Sequence, residues 1–202
     1  MSVLTQTPPP AAVTAGPTPR RWTRAEYYRL GELDFFRGQR VERIGGELMV
    51  MSPQDWKHTA GVTRADTAVR AAFAASGRWV RTQFPMEFTL ESDPEPDVSV
   101  VPGRFEDYRS HPDSALLIVE VANTSLSYDR REKASLYAAA GVPDYWVLDV
   151  NGRRLEVCRD PRPDPDDPHG WGYADRRWLA PGDSVAPLAA PAASVSVGGL
   201  LS

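Results

Sequence analysis

Two apolar runs and a short helix between them organise the chain. Ala115 to Ala122 reads ALLIVEVA and Tyr145 to Val150 reads YWVLDV. The first is apolar on both faces and predicts a central strand covered on both sides, and the second predicts a further strand. Between them, Asp129 opens a helical pattern that ends at a Gly-Val-Pro break beginning at Gly141. At ~100° per residue, Leu136, Tyr137 and Ala140 form one stripe. Lys133 lies three, four and seven residues before them and projects from the middle of that stripe. Glu120 sits inside the first run, on the face of Leu116 and Ile118, while Leu117, Val119 and Val121 face the other way. A carboxylate and an amine thus occupy positions where apolar residues belong.

The remaining pattern predicts a mixed α/β domain, a central sheet flanked by helices. Residues 1–21, rich in Pro, Thr and Ala, predict a disordered leader, and 22–202 a single domain. Thr23 and Glu26 form a capping box before a helix with Tyr27, Leu30 and Leu33 on one face, expected against the outside of the sheet. Arg40 to Met51 predicts a hairpin around Gly45-Gly46, with Glu47 on the side of Met49 and Met51. A long helix is expected from Gln54 to Ser76, striped by Val62, Ala65 and Val69, with His58 one turn before Val62. Strands are expected at Arg78–Phe84, Met86–Leu90 and Pro96–Val101, the last opened by Asp97. Asn151-Gly152 predicts a tight turn into a return strand, Arg153–Arg159. Asp160–Gly170 predicts a mobile loop, followed by strands at Trp171–Leu179 and Ser184–Leu188.

Composition narrows the class. The 202 residues are 42% hydrophobic, enough for one well-filled core. A net charge of -4 argues against a broad basic coat for nucleic acid but leaves room for a local basic groove. The single cysteine, Cys158, cannot form an internal disulfide and fits a reducing compartment. No apolar run approaches the ~18 residues of a membrane span. The expectation is a cytoplasmic protein.

A buried carboxylate is ion-paired, protonated or bound to a metal. A buried lysine snorkels, pairs with an acid such as Asp129, or serves chemistry. Asp97, Glu120 and Lys133 fall on a strand start, the next strand and the following helix. Two acids on adjacent strands can hold a divalent cation through oxygens, and the Val121 carbonyl can add a ligand. Such a cation makes water a usable nucleophile, and a nearby lysine can stabilise developing charge. That is the chemistry of phosphodiester hydrolysis.

The ordered pieces carry a resemblance. They are Gly46-Glu47-Leu48, Ser52-Pro53 with His58, Pro96-Asp97-Val98-Ser99, Leu117-Ile118-Val119-Glu120-Val121, Tyr128-Asp129-Arg130 with Lys133, Tyr137 to Pro143, and Tyr145-Trp146. From Thr23 onward the chain resembles the Uma-two family of endonucleases, within the PD-(D/E)xK, restriction-endonuclease-like superfamily. The resemblance implies a restriction-endonuclease-like core, a site for Mg²⁺ or Mn²⁺, and DNA as substrate. By position it implies Asp97 and Glu120 as metal ligands and Lys133 as the catalytic lysine. It further suggests Glu47 as an additional acid and Asp129 as the group that orients Lys133. Two features depart from the pattern. Ala122 stands where the superfamily's lysine usually does, so Lys133 would be a migrated lysine. Asn123-Thr124 replaces the family's usual Ser-Pro.

Two other readings stay open. One is a catalytically inactive nucleic-acid- or protein-binding module of the same fold, consistent with the acidic charge. The other makes Glu120 and Lys133 a structural ion pair. Cutting both strands of DNA is simplest with two sites, which predicts a homodimer.

Overall fold

A computed structural model of the chain describes residues 18–89 and 91–202. The apolar runs build a six-stranded mixed sheet in the order β3-β4-β5-β6-β7-β8. Its strands are β3 (Trp79–Thr82), β4 (Val98–Val101), β5 (Leu117–Ala122), β6 (Asp144–Asp149), β7 (Arg154–Pro163) and β8 (Trp171–Leu179). Only the β5–β6 pair is parallel, because a helix must return the chain between them. Every residue of β4, β5 and β6 is buried, as continuous apolar runs require.

Each face of the sheet has its own core. Leu117, Val119 and Val121 pack with α2 (Trp56–Phe73) and α5 (Val197–Leu201) through Val62, Ala65, Val69 and Leu200. Ile118, Ala122 and Val147 face the other side, toward Leu136, Tyr137 and Met86. That side is covered by one run of helix in three parts: α3 (Leu126–Tyr128), a π-helical segment (Asp129–Lys133) and α4 (Ala134–Ala139). In the π segment the Ala134 amide reaches back five residues to the Asp129 carbonyl. Such insertions are frequent at functional sites. A separate hairpin, β1 (Arg40–Ile44) and β2 (Glu47–Met51), turns on Gly45 and Gly46 at φ +57 and +78. A two-residue turn of the I′ kind needs both positive angles, which glycine adopts without strain. Two short strands, β9 (Ser184–Val185) and β10 (Val195–Ser196), complete the fold before α5.

Several expectations are corrected. The helix α1 (Arg24–Glu32), capped by Thr23 and Glu26, lies against the hairpin and the 87–93 segment rather than the main sheet. The Tyr27 hydroxyl donates to the Val41 carbonyl at 2.6 Å, and Arg24 reaches Asp93 at 2.6 Å. Met86 to Thr89 form no strand; Met86 is instead a core plug, its amide donating to Pro94. Leu90 lies outside the described residues, as does the expected leader through residue 17. Arg21, the last leader position, donates to the Gly45 carbonyl. The strand expected to end at Arg159 continues to Pro163, because Pro161 and Arg162 still pair with Tyr173 and Gly172. Only Asp164 to Gly170 remain as a turn, closed by the Asp164 amide on the Gly170 carbonyl at 2.9 Å. The weakly patterned C-terminal stretch supplies Val195, Val197 and Leu200 to the core.

Gly61 sets how closely α2 approaches the sheet. A Cβ there would lie 2.6 Å from Val121 Cγ1 and 3.3 Å from Val150 Cγ1. This close approach brings the first turn of α2, with His58, to the end of β5. Gly61→Ala should therefore destabilise the fold by about 1–3 kcal/mol through overpacking, despite the better helix propensity of alanine. Urea denaturation should show a lower midpoint at an unchanged m-value; an unchanged midpoint would refute the close-packing account.

Candidate active site

Glu120 and Lys133 meet because β5 points the acid toward the helix that follows it. The Lys133 ammonium donates to Glu42 Oε2 at 2.7 Å and to Glu120 Oε1 at 3.2 Å. The Tyr137 hydroxyl, one helical turn beyond Lys133, donates to the same Glu120 oxygen at 2.6 Å. All four side chains are buried. Burial alone would strip the proton from Lys133, but Glu120 and Glu42 outweigh it and hold the ammonium well above its ordinary range. Burial also pushes Glu120 up to about 8, against the pull of Lys133 and with the help of Asp97, Asp129 and Glu42.

Asp97 lies beside Glu120, its backbone amide donating to Glu120 Oε2 at 3.2 Å. Three donors fix its carboxylate. They are the Val121 amide and His58 Nε2 on Oδ2, at 2.9 and 3.1 Å, and Gln83 Nε2 on Oδ1 at 3.0 Å. Burial raises its pKa, but the hydrogen bond and charge of His58, with the Val121 and Gln83 donors, prevail and lower it. Burial lowers the His58 pKa in turn, and Asp97 more than reverses this. Gln83 holds a strained backbone, φ +53, at the end of β3 to make its contact. Asp129 is buried on the π segment and accepts from the Ser125 hydroxyl at 2.6 Å; burial pushes it up to about 6. No hydrogen bond or ion pair joins it to Lys133 among the described residues, so its influence on the lysine is through its charge.

Glu47 takes a different place. It lies on the expected face of the hairpin, but next to the turn, where it is exposed and outside the cavity. The hairpin's acid at Lys133 is Glu42, paired in register with Met49. The sequence reading passed over Glu42, although counting the register back from Gly45-Gly46 places it opposite Met49. Gln83 and Tyr137 carry no local sequence signal for their contacts; only the fold brings them to Asp97 and Glu120.

These groups line a cavity of about 340 Å³. Its wall holds six carboxylates, Glu42, Asp55, Glu95, Asp97, Glu120 and Asp129, against two fixed cations, Arg40 and Lys133. Acidic side chains thus outnumber basic ones on this wall. Two buried polar atoms on the same wall, His58 Nδ1 and Tyr128 Oη, have no partner among the described residues. By lone-pair count, Asp97 Oδ1 and Glu120 Oε2 each keep one acceptor position open. No group of three His, Cys, Asp or Glu side chains among the described residues is arranged to hold a metal ion. What the described residues offer is a pair of acids with open acceptor positions, not a closed structural cage; Mg²⁺ is a cation that takes only one or two carboxylates from a protein.

Comparison with known proteins follows this geometry. A family model, Uma2, described as "Putative restriction endonuclease", matches residues 24–197. No curated protein matches the chain. Among solved structures, the chain is similar to a "putative nuclease belonging to DUF820" from Anabaena variabilis ATCC 29413. The two are 15% identical, with a TM-score of 0.65 over 89% of this chain and 97% of that one. That likeness establishes the restriction-endonuclease-like fold.

The buried acids predict a pH dependence. Glu120 and Asp129 bind protons more tightly folded than unfolded, where their values are near 4.5 and 3.8. Their stabilisation is complete below those values and is lost as pH rises, through about 6 for Asp129 and about 8 for Glu120. Denaturation of the protein in chelator should show stability falling across that window. Glu120→Gln should remove the upper part of the fall; a variant with the parent's profile would contradict the assignment.

Proposed function

The chain belongs to the Uma2 family, and on that premise we propose that it is a divalent-metal-dependent endonuclease acting on DNA. The observation that carries this reading is the Lys133 ammonium, held between Glu42 and Glu120 at the wall of an acid-lined cavity, with Asp97 alongside. Asp97 and Glu120, with the Val121 carbonyl, are the residues that would hold Mg²⁺ or Mn²⁺. When bound, the ion supplies positive charge at the phosphate and makes water more acidic. Lys133 presents a fixed positive charge to the extra negative charge that a phosphodiester gains as it is attacked. Its orientation is set by Glu42 and Glu120 rather than by solvent, so it needs little rearrangement during reaction. His58 and Gln83 hold the Asp97 carboxylate in one rotamer. Asp129 adds negative charge that keeps Lys133 protonated. The helix supplies the amine that Ala122 on β5 cannot.

A second reading has a specific observation behind it. Both Glu120 oxygens are already bonded within the protein, to Lys133 and Tyr137 on one side and to the Asp97 amide on the other. A module that binds without turnover would keep this network as structure alone. Calorimetric titration with Mn²⁺ separates the two readings: binding that Asp97→Asn abolishes belongs to the nuclease. The nuclease reading also expects a homodimer, one site per strand cut, working in the cytoplasm.

Purified protein should nick supercoiled plasmid with Mg²⁺ or Mn²⁺ and stop in chelator. Lys133→Ala should slow nicking by about 100-fold or more per folded molecule, assayed below its own lowered unfolding midpoint, the scale of losing one preorganised charge stabiliser. Cleavage by Lys133→Ala at the parent's rate would remove the lysine from the mechanism.

A further inference from the structure

The sheet register links the candidate site to a second charged surface. Glu120 pairs with Val147, Val147 with Glu156, and Glu156 with Trp178. Paired residues point to the same face, so Glu120, Glu156 and Trp178 share one row on one side of the sheet. The helix following β5 straddles this row. Its π segment sends Lys133 down to Glu120 on one flank and Arg130 down to Glu156 on the other. At ~4.8 Å per strand, Trp178 lies roughly 14 Å from Glu120.

Around Trp178 the arginines are already ordered. Arg154 stacks on its ring at 3.8 Å and Arg130 lies at 5.0 Å. Arg130 and Arg176 are both anchored on the buried Glu156, and Arg154 on the buried Asp149. The two carboxylates sit beneath, at 2% and 5% side-chain exposure, while Arg130 and Arg154 are 40% and 44% exposed. The outward charge is therefore positive although the chain as a whole is acidic. Both terminal nitrogens of Arg154, and Nη1 of Arg130, donate to nothing among the described residues. These are donors on guanidinium groups whose stacking and anchoring have already removed most of their rotamer freedom.

We propose that the Arg130–Trp178–Arg154 stack is a docking point for the nucleic-acid phosphate backbone, flanking the scissile phosphate. A separation of roughly 14 Å spans only a few nucleotides of a strand, because successive phosphates lie farther apart in space than the ~3.4 Å axial rise of each step. The stack thus holds phosphates a few nucleotides from the site, on the far side of the helix that carries Lys133. Its local charge supplies what the acidic cavity lacks, since the cavity alone repels a polyanion. The proposal rests on the nuclease reading for its substrate, but its test does not require cleavage.

Fluorescein-labelled DNA duplexes, titrated with the full chain in chelator and read by anisotropy over a salt series, measure backbone binding alone. Arg130→Gln with Arg154→Gln should weaken binding about tenfold or more and lower the slope of log affinity against log salt by about two, the value for two lost phosphate contacts. Lysine at both positions keeps the charge and should retain most of the salt slope, which separates loss of charge from damage to the Glu156 and Asp149 anchors. In plasmid nicking, the double glutamine variant should raise KM more than it lowers kcat. Unchanged affinity and salt slope in a parent that cuts DNA overturns the docking point and leaves the nuclease reading standing. A parent that binds DNA through these arginines yet cuts under no divalent ion overturns the nuclease reading and leaves the docking point. Binding of polyglutamate through the same arginines, with none of DNA, overturns the proposal in favour of an acidic protein partner.

Discussion

One ammonium ion inside the protein ties its parts together. Lys133 reaches Glu42 from the hairpin and Glu120 from the central sheet, and itself comes from the helix between two strands. Removing one partner from such a buried set costs about 3–5 kcal/mol, because it leaves an uncompensated charge. Each element is therefore held to the others by a charge that would be expensive to isolate. Among the described residues the hairpin shares no hydrogen-bonded ladder with the six-stranded sheet. Its seating depends on this contact and on the buried Arg43–Asp93 pair at 2.7 Å.

The same contact explains the local electrostatics. Glu120 and Asp129 are buried beside Lys133, burial and neighbouring acids raise both, and together with Glu42 they raise the lysine. Asp97 also raises Glu120 and Asp129, but its own donors, His58, Val121 and Gln83, stabilise its charged form and lower it. Two adjacent acids are thus pushed in opposite directions by different surroundings. Divergent pKa values among neighbouring groups are common at functional sites. The restriction-endonuclease-like fold makes the difference possible by placing Asp97 at a strand start, open to donors from α2 and β3, and Glu120 within a fully covered strand.

How much of this was legible depended on the range of the interaction. The strands β4, β5 and β6 follow from apolar runs, and the hairpin from Gly45-Gly46, because local sequence determines them. Lys133 on the buried stripe could be read from helix arithmetic, and the π segment did not move it off the core. Glu42 was missed in favour of Glu47 because choosing between them needs strand register, not composition. Gln83 and Tyr137 were beyond reach, since their roles arise only when distant segments meet. Met86 to Thr89 looked like a strand because apolar residues alternate there, yet the segment has no partner edge to pair with. The C-terminal helix escaped notice because two of its residues are glycine and its pattern spans too few residues to show a period.

The Glu42–Lys133 contact spans 91 residues of chain, whereas Glu120 and Lys133 are 13 apart. Closing the longer loop costs more chain entropy than closing the shorter one. A partly folded chain can pair Lys133 with Glu120 but cannot yet close the cavity, whose other wall is the hairpin. Any reactivity of this pocket is therefore confined to fully assembled molecules. Completion of the pocket is thereby tied to the meeting of two segments far apart along the chain.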